Sequence, residues 1–347
     1  MSSNPSKFEI TASRQFISWL DEQKISLVFT TYQVGKIFFI GLNQGNLAAF
    51  ERTLNRCMGL YATGTTLYVS TQHQIWQFEN RLAPGEMSNG HDAVYLPQVS
   101  YVTGDLDIHD LVVDAQGRLL FVNTLFSCLA TTDSTHSFIP LWKPAFISKI
   151  APEDRCHLNG LAMKEGKPKY VTLVAPTDVV EGWRQRRVEG GCLLDVETNE
   201  IVLSGLSMPH SPRWYQDKLW LLNSGTGEFG YVDLNAGQFV PITFCPGYQR
   251  GLAFHHNFAL IGISESRHHK TFMGLPFEEK LAAQGLKARC GIVVVDLTTG
   301  NVVHTLNIEG IVNELYDVVV LPHIRRPMAI GFQNDDIRRV LKIGNFP

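Results

Sequence analysis

The sequence predicts an all-β fold, a single β-propeller, on three observations. Segments that begin at His109, Asn159 and His210 recur about 50 residues apart. Each opens the same pattern of an apolar run, a polar or glycine turn and a second apolar run, which is typical of β-hairpins. About four strands in a mean period of about 48 residues fit the blade of a propeller, in which sheets ring a central channel.

The hairpins, taken in order, decide the number of blades. Aligning the second apolar run of each unit gives seven segments, at 26–41, 58–70, 109–124, 159–174, 210–224, 250–264 and 316–332. This favours seven blades. The last segment has only two clear strands, so it must be completed by N-terminal sequence such as residues 8–10, or merge with the first segment. A merger would give six blades.

Two helices are predicted beside the strands. One covers about residues 13–23, with an apolar face at Phe16, Ile17 and Leu20, and the other is inserted at about 276–284. No Pro-, Gly- and Ser-rich polar stretch separates the halves of the chain. Residues 1–347 are therefore expected to form one domain.

Composition excludes some partners. A formal charge of −3 without a Lys/Arg run argues against nucleic acid or a membrane surface as a partner. The N-terminus lacks a basic and apolar leader, and no apolar run approaches the roughly 20 residues that span a bilayer. We therefore expect a cytoplasmic protein. The six cysteines form no CxxC pair, which favours buried, reduced thiols.

The repeat also predicts where function lies, because equivalent positions of successive blades meet at one channel mouth. The first residues of the seven units are, in chain order, Leu27 or Val28, Met58, His109, Asn159, His210, Arg250 and Tyr316. Imidazole nitrogens and an amide oxygen that arrive from separate strands can hold a divalent cation and leave positions open for substrate. His109, Asn159 and His210 are accordingly the predicted metal ligands.

Other polar residues lie next to this column. Arg250 is predicted to bind an anionic group of the substrate, and His157, on the loop before Asn159, is a second predicted substrate-binding residue. Asp110 or Asp317 is predicted to act as the acid/base.

Several segments carry a family resemblance. "DIHDLVVDAQGRLLFVNT", "CHLNGLAM" and "MPHSPRWYQDKLWLLNSGTG" resemble the senescence-marker/gluconolactonase and strictosidine-synthase-like propellers. A closer resemblance covers nearly the whole chain and is carried by "SLVFTTYQVGKIFFIG", "FSCLATTDSTHSFIPLW" and "ELYDVVVLP". This closer resemblance is to a bacterial family of uncharacterised propeller proteins.

The gluconolactonase resemblance has implications for the metal. In that family the Asn of "N-G-L" binds the catalytic divalent cation, which points to Asn159. His109-Asp110 matches an Asn-Asp pair of the preceding unit, and His210 takes the place of an aspartate that serves as ligand and acid/base. The family's glutamate ligand has no match near Leu27. The resemblance implies a divalent cation such as Ca, whereas imidazole ligands suit Zn, Fe, Cu or Mn better. The identity of the ion is therefore left open among these five.

These observations favour a metal-dependent enzyme that acts on a small molecule or small peptide at the channel mouth. The reaction is left open between a hydrolase or lactonase and an oxygenase or lyase. The alternative is a non-catalytic propeller that binds a peptide or protein partner, since the fold itself does not choose between them.

Overall fold

The computed structural model describes residues 8–265, 274–332 and 335–344, and these residues form the six blades of a β-propeller. In the first half of the chain the strands are β1 Glu9–Ala12, β2 Ile25–Thr31, β3 Lys36–Asn43, β4 Asn46–Thr53, β5 Leu60–Thr63, β6 Thr66–Ser70, β7 Gln74–Asn80, β8 Ala93–Val102, β9 Ile108–Val113, β10 Leu119–Asn123, β11 Cys128–Thr131, β12 Ile139–Trp142 and β13 Leu158–Lys164. In the second half they are β14 Lys167–Leu173, β15 Gly191–Asp195, β16 Ile201–Leu206, β17 Pro209–Tyr215, β18 Lys218–Asn223, β19 Glu228–Asp233, β20 Gln238–Phe244, β21 Tyr248–His255, β22 Phe258–Ser264, β23 Cys290–Asp296, β24 Val302–Glu309, β25 Val318–Pro322 and β26 Pro327–Ala329.

The blades follow the chain, except that β1, β25 and β26 join blades built from distant parts of the chain. From the channel outwards, blade 1 has the order β25-β2-β3-β4, blade 2 β5-β6-β7-β8-β26, blade 3 β9 to β12, blade 4 β13 to β16, blade 5 β17 to β20, and blade 6 β21-β22-β23-β24-β1. All neighbours within these sheets are antiparallel except β26, which pairs in parallel with β8. The innermost strands contact one another in ring order, from β25 through β5, β9, β13, β17 and β21 back to β25.

The number of blades is six, the alternative that the sequence left open, and not the favoured seven. The first and last hairpin segments belong to one blade, because β2 pairs with β25 in the register Leu27 to Val320. Leu27 consequently lies on the second strand of blade 1 and not at the channel. The ring is thus closed by strands from distant parts of the chain within a single sheet.

The apolar core lies between blades, and a buried cluster separates each pair of neighbours. Between blades 1 and 2, the rings of Phe39 and Tyr95 stack with centres 6.0 Å apart. Between blades 5 and 6, Trp220 packs against Phe254 at 5.8 Å. Burial of such aromatic faces holds neighbouring blades at fixed positions and therefore fixes the inner strands that form the channel.

The two helices occur where the sequence predicts them. Helix α1 covers Phe16–Gln23 and buries Phe16, Trp19 and Leu20 against the cluster between blades 6 and 1. It ends where Lys24 adopts a left-handed conformation with φ of 53°. Helix α2 covers Pro276–Ala283, begins with proline and buries Phe277.

Two other sequence expectations bear on the described residues. All six cysteines are buried and unpaired, in agreement with the expected buried thiols. Among the described helices, none has the length and apolar character needed to cross a membrane.

Candidate functional site

The six innermost strands enter the channel from one end. The residues at their starts are, in ring order, Tyr316, Met58, His109, Asn159, His210 and Arg250. The side chains of His109, Asn159, His210 and Tyr316 are buried, with residue exposures of 3% to 6%. The three predicted metal ligands therefore come from consecutive blades, and Tyr316 occupies the place in blade 1 that the sequence assigned to its first unit.

Ring contacts join these residues. The imidazole centres of His109 and His210 are 6.5 Å apart, with planes inclined by 21°. His157 meets His109 edge to face at 4.8 Å, and the Tyr316 ring meets it at 5.6 Å. The guanidinium carbon of Arg250 lies 5.0 Å from the centre of the Tyr316 ring. We call this group the mouth cluster; it comprises His109, His157, Asn159, His210, Arg250 and Tyr316.

A repeated backbone turn orients the histidines. Two residues before the channel position the backbone is left-handed in four consecutive blades, with φ of 44° to 54° at Arg56, Asp107, His157 and Met208. Such a conformation costs a non-glycine residue roughly 1 kcal/mol or more. The turn brings the Asp107 carbonyl within 2.8 Å of Nδ1 of His109. The Met208 carbonyl lies 2.9 Å from Nδ1 of His210 in the same way.

These contacts fix the protonation of both rings. A carbonyl only accepts, so Nδ1 of His109 and of His210 carries the hydrogen and Nε2 has a lone pair. Burial lowers the pKa of His109 to about 3, although the Asp107 carboxylate acts in the opposite direction. Burial, and after it the charge of Arg250, lower the pKa of His210 well below its ordinary value. Both imidazoles are therefore neutral at physiological pH.

Three buried polar atoms of the mouth cluster have no hydrogen-bond partner among the described residues: Nε2 of His210, Nδ2 of Asn159 and the hydroxyl of Tyr316. The Asn159 carbonyl oxygen, in contrast, accepts from the Thr172 hydroxyl at 2.8 Å. Burial raises the pKa of Tyr316 well above its ordinary value, so this phenol keeps its proton. Because buried polar groups are nearly always paired, this concentration at one channel mouth indicates a place for a bound molecule.

His157 is held by a carboxylate and an indole. Its Nδ1 donates to the Asp154 carboxylate at 2.9 Å, and Nε1 of Trp183 donates to the same carboxylate oxygen at 2.8 Å. The Trp183 ring also stacks on the His157 ring at 4.2 Å. A carboxylate that orients an imidazole in this way is the arrangement by which proteins position a histidine for proton transfer.

The two predicted acid/base candidates, Asp110 and Asp317, each follow a residue of the mouth cluster and lie one residue further along the channel. Asp110 accepts two hydrogen bonds from the Arg213 guanidinium, at 2.7 Å and 3.1 Å, and one from the backbone N–H of Leu161. Asp317 accepts from the backbone N–H of Leu60 at 2.9 Å. These contacts join neighbouring blades, so both carboxylates have a structural role, and their acid/base role stays a prediction.

This deeper layer alternates around the ring. The residues that follow the channel positions are Asp317, Gly59, Asp110, Gly160, Ser211 and Gly251. The polar side chains of blades 1, 3 and 5 each accept a backbone N–H of the next blade, and the Ser211 hydroxyl does so from Gly251 at 3.2 Å. The glycines leave room for this approach, since a Cβ on Gly160 would lie 2.3 Å from Cδ of Pro212.

In the described part of the chain, no three His, Cys, Asp or Glu side chains are arranged to hold a metal ion. The predicted set of His109, Asn159 and His210 contains two imidazoles and an amide. It therefore stays a prediction.

Sequence reasoning missed Asp107, Asp154, Trp183 and Arg213. Asp107 and Asp154 could have been found from their spacing of two and three residues before a predicted site histidine. Trp183 lies in a loop between strands of blade 4 and Arg213 in the middle of β17, so neither carries a signal of its place. The folding of blade 4 brings Trp183 to His157, and the closure of the ring brings Arg213 of blade 5 to Asp110 of blade 3.

Fold and site together define this molecule as a six-bladed β-propeller with a buried polar cluster at one channel mouth. Its family follows from the sequence match: residues 14–330 match the model described as a domain of unknown function, DUF4915, and the chain belongs to that family. This fits the predicted uncharacterised propeller family, whereas the link to gluconolactonase and strictosidine synthase stays a prediction. No curated protein matches the chain.

Solved structures resemble this fold at low sequence identity. A chain in a crystal structure of a nidogen/laminin complex is 10% identical, with a TM-score of 0.54 over 86% of this chain and 99% of that chain. A protein of unknown function from Bacteroides caccae is 12% identical, with a TM-score of 0.49 over 86% and 98% of the two chains. A virginiamycin B lyase from Staphylococcus aureus, solved with quinupristin, is 9% identical, with a TM-score of 0.42 over 87% and 99%. The first of these likenesses shows the fold alone.

Proposed function

We propose that this protein is a metal-dependent enzyme that acts on a small molecule or small peptide bound at the mouth cluster. The observation that supports the proposal most directly is the set of three buried polar atoms without a partner among the described residues, on His210, Asn159 and Tyr316. A site that only stabilised the fold would pair such atoms internally.

The proposed ligand atoms of the metal are Nε2 of His109, Nε2 of His210 and the carbonyl oxygen of Asn159, which has a second lone pair besides the one that accepts from the Thr172 hydroxyl. Both imidazoles are neutral and direct Nδ1–H at a backbone carbonyl, the arrangement that usually orients a metal-bound histidine. When bound, a divalent ion would acidify water or polarise a carbonyl of the substrate. The set lacks a carboxylate, which leaves a negative charge to be supplied by the substrate.

The charges around the cluster favour an anionic group on that substrate. The guanidinium of Arg250 packs on Tyr316, and the Asn159 amide N–H and the Tyr316 hydroxyl are available as donors. Together they would bind a carboxylate or phosphate next to His210. His157, oriented by Asp154, is the residue we assign to proton transfer.

Metal analysis of the purified protein tests this function. We expect about one divalent ion per chain in the wild type and a loss of that ion in His109→Ala and in His210→Ala. His136→Ala is the control, because the His136 side chain is exposed in a loop. Thermal melting in the presence of small carboxylates and phosphates tests the anion site, and Arg250→Met should remove any stabilisation.

A wild-type protein without metal that no carboxylate or phosphate stabilises would overturn the proposal. A non-catalytic propeller that binds a peptide or protein at the mouth would then be the better hypothesis. Unchanged metal content in both histidine variants would equally exclude the ligand set.

A further inference from the structure

We infer that the channel carries a second ligand site at the end opposite the mouth cluster, and that this site takes a small apolar molecule with one uncharged hydrogen-bond acceptor. A cavity of about 350 Å³ lies there. It is lined by residues from all six innermost strands, beyond the layer of Asp110 and Asp317. The inference does not depend on the function proposed for the mouth.

The wall of this cavity is apolar and aromatic. Val112, Met163 and Leu252 contribute aliphatic surface, and Tyr61 and Phe254 contribute rings. A volume of a few hundred Å³ with such a lining and few polar groups is typical of small-molecule sites. Because each wall residue belongs to a strand of the closed ring, the cavity is built into the scaffold of the fold.

One charged group, Arg213, lies in the lining at the inner end of the cavity. Its Nη1 donates to Asp110 and to the backbone carbonyls of Leu161 and Pro212, and its Nη2 donates once, to Asp110. The Nε–H group and one N–H of Nη2 have no acceptor among the described residues. The side chain is 22% exposed and lies in the lining of the cavity, and we assign these two donors to a ligand that enters the cavity.

The charge balance at Arg213 determines what kind of acceptor fits. The single positive charge is matched by the bidentate contact with Asp110, and Asp317 also lies within electrostatic range. Burial raises the pKa of Asp317 to about 7, with the negative charge of Asp110 acting in the same direction. The charge of Asp110 already disfavours ionisation of Asp317. A carboxylate on the ligand would bring a third negative group beside these two and would be repelled. A ketone, ester, lactone or amide oxygen accepts the same hydrogen bonds without that repulsion.

Calorimetric titration with two ligands of equal chain length tests this inference. We expect 2-octanone to bind, and octanoate to bind at least tenfold more weakly at a pH near 8. Equal or tighter binding of octanoate would refute the charge argument. Failure of 2-octanone to bind at millimolar concentration would refute the site.

A substitution that fills the cavity tests whether 2-octanone binds there. Ala253→Phe adds a ring to the lining and is expected to weaken 2-octanone binding at least tenfold. Ala49→Phe is the matched control, because Ala49 is exposed on β4, the outermost strand of blade 1. Ala62→Phe, on the innermost strand β5, replaces Ala253→Phe if circular dichroism shows that the Ala253→Phe protein does not fold. Undiminished binding in a folded cavity variant would overturn the assignment.

Discussion

Acidification should destabilise this propeller through its two buried channel histidines. The pKa of His109 is lowered to about 3 in the folded protein, whereas an unfolded chain binds the proton near pH 6.5. A group whose folded pKa is depressed contributes stability above the unfolded pKa and loses it as the pH falls towards the folded value. At a pH of about 5 this amounts to about 2 kcal/mol, because each pH unit below 6.5 is equivalent to about 1.36 kcal/mol. His210, whose pKa is lowered in the same direction, is expected to add to this loss.

Urea unfolding between about pH 7.5 and about pH 5 measures this effect. His109→Gln removes one titrating group, so the free energy of unfolding should fall about 2 kcal/mol less over this range than in the wild type. Comparing the two proteins cancels the contribution of the carboxylates that they share. His136→Gln, in an exposed loop, is the control for the replacement of a histidine by glutamine. Identical pH dependence of the wild type and His109→Gln would show that His109 is not held neutral in the fold, and would remove the basis for its role at the mouth.

Two further predictions concern thiols and blade contacts. No cysteine should react with a thiol reagent in the native protein, and all six should react after denaturation. The reason is that every thiol is buried, and burial raises the pKa of Cys57, for example, to about 12. Rapid labelling of the native protein would contradict this prediction. Gly160→Ala should destabilise the fold by about 1 to 3 kcal/mol, since its Cβ would lie 2.3 Å from Pro212 and 3.1 Å from the Ser211 nitrogen. Gly344→Ala, where a Cβ meets nothing within 4 Å, is its control; equal melting temperatures of the two variants would disprove the close contact.

The repeat in the sequence was sufficient to predict the channel column, because it depends on equivalent positions in successive hairpins. His109, Asn159 and His210 are such positions, and they start consecutive innermost strands. The number of blades depends instead on which strands share a sheet. The pairing of Leu27 with Val320 joins segments that the repeat presents as two separate units, so the sequence favoured seven.

The partners of the site residues were beyond the reach of local patterns. Asp110 and Asp317 were recognised as polar residues near the mouth, but their hydrogen bonds to neighbouring blades depend on the ring being closed. The protonation of the histidines depends on carbonyls that are turned by left-handed residues, among them Asp107 and Met208. Nothing in the composition of these positions distinguishes a strained turn from an ordinary one.

The pairing of β2 with β25 places a constraint on how the chain matures on the ribosome. β2 is buried along its whole length in the finished protein, yet its inner edge has no partner until residues 318–322 have been synthesised. At about 5 to 20 residues per second, that interval lasts about 15 to 60 seconds. During this time an apolar strand presents an open edge to other nascent chains, a hazard for aggregation. Chaperone occupancy of the nascent chain should therefore persist until the final inner strand has emerged.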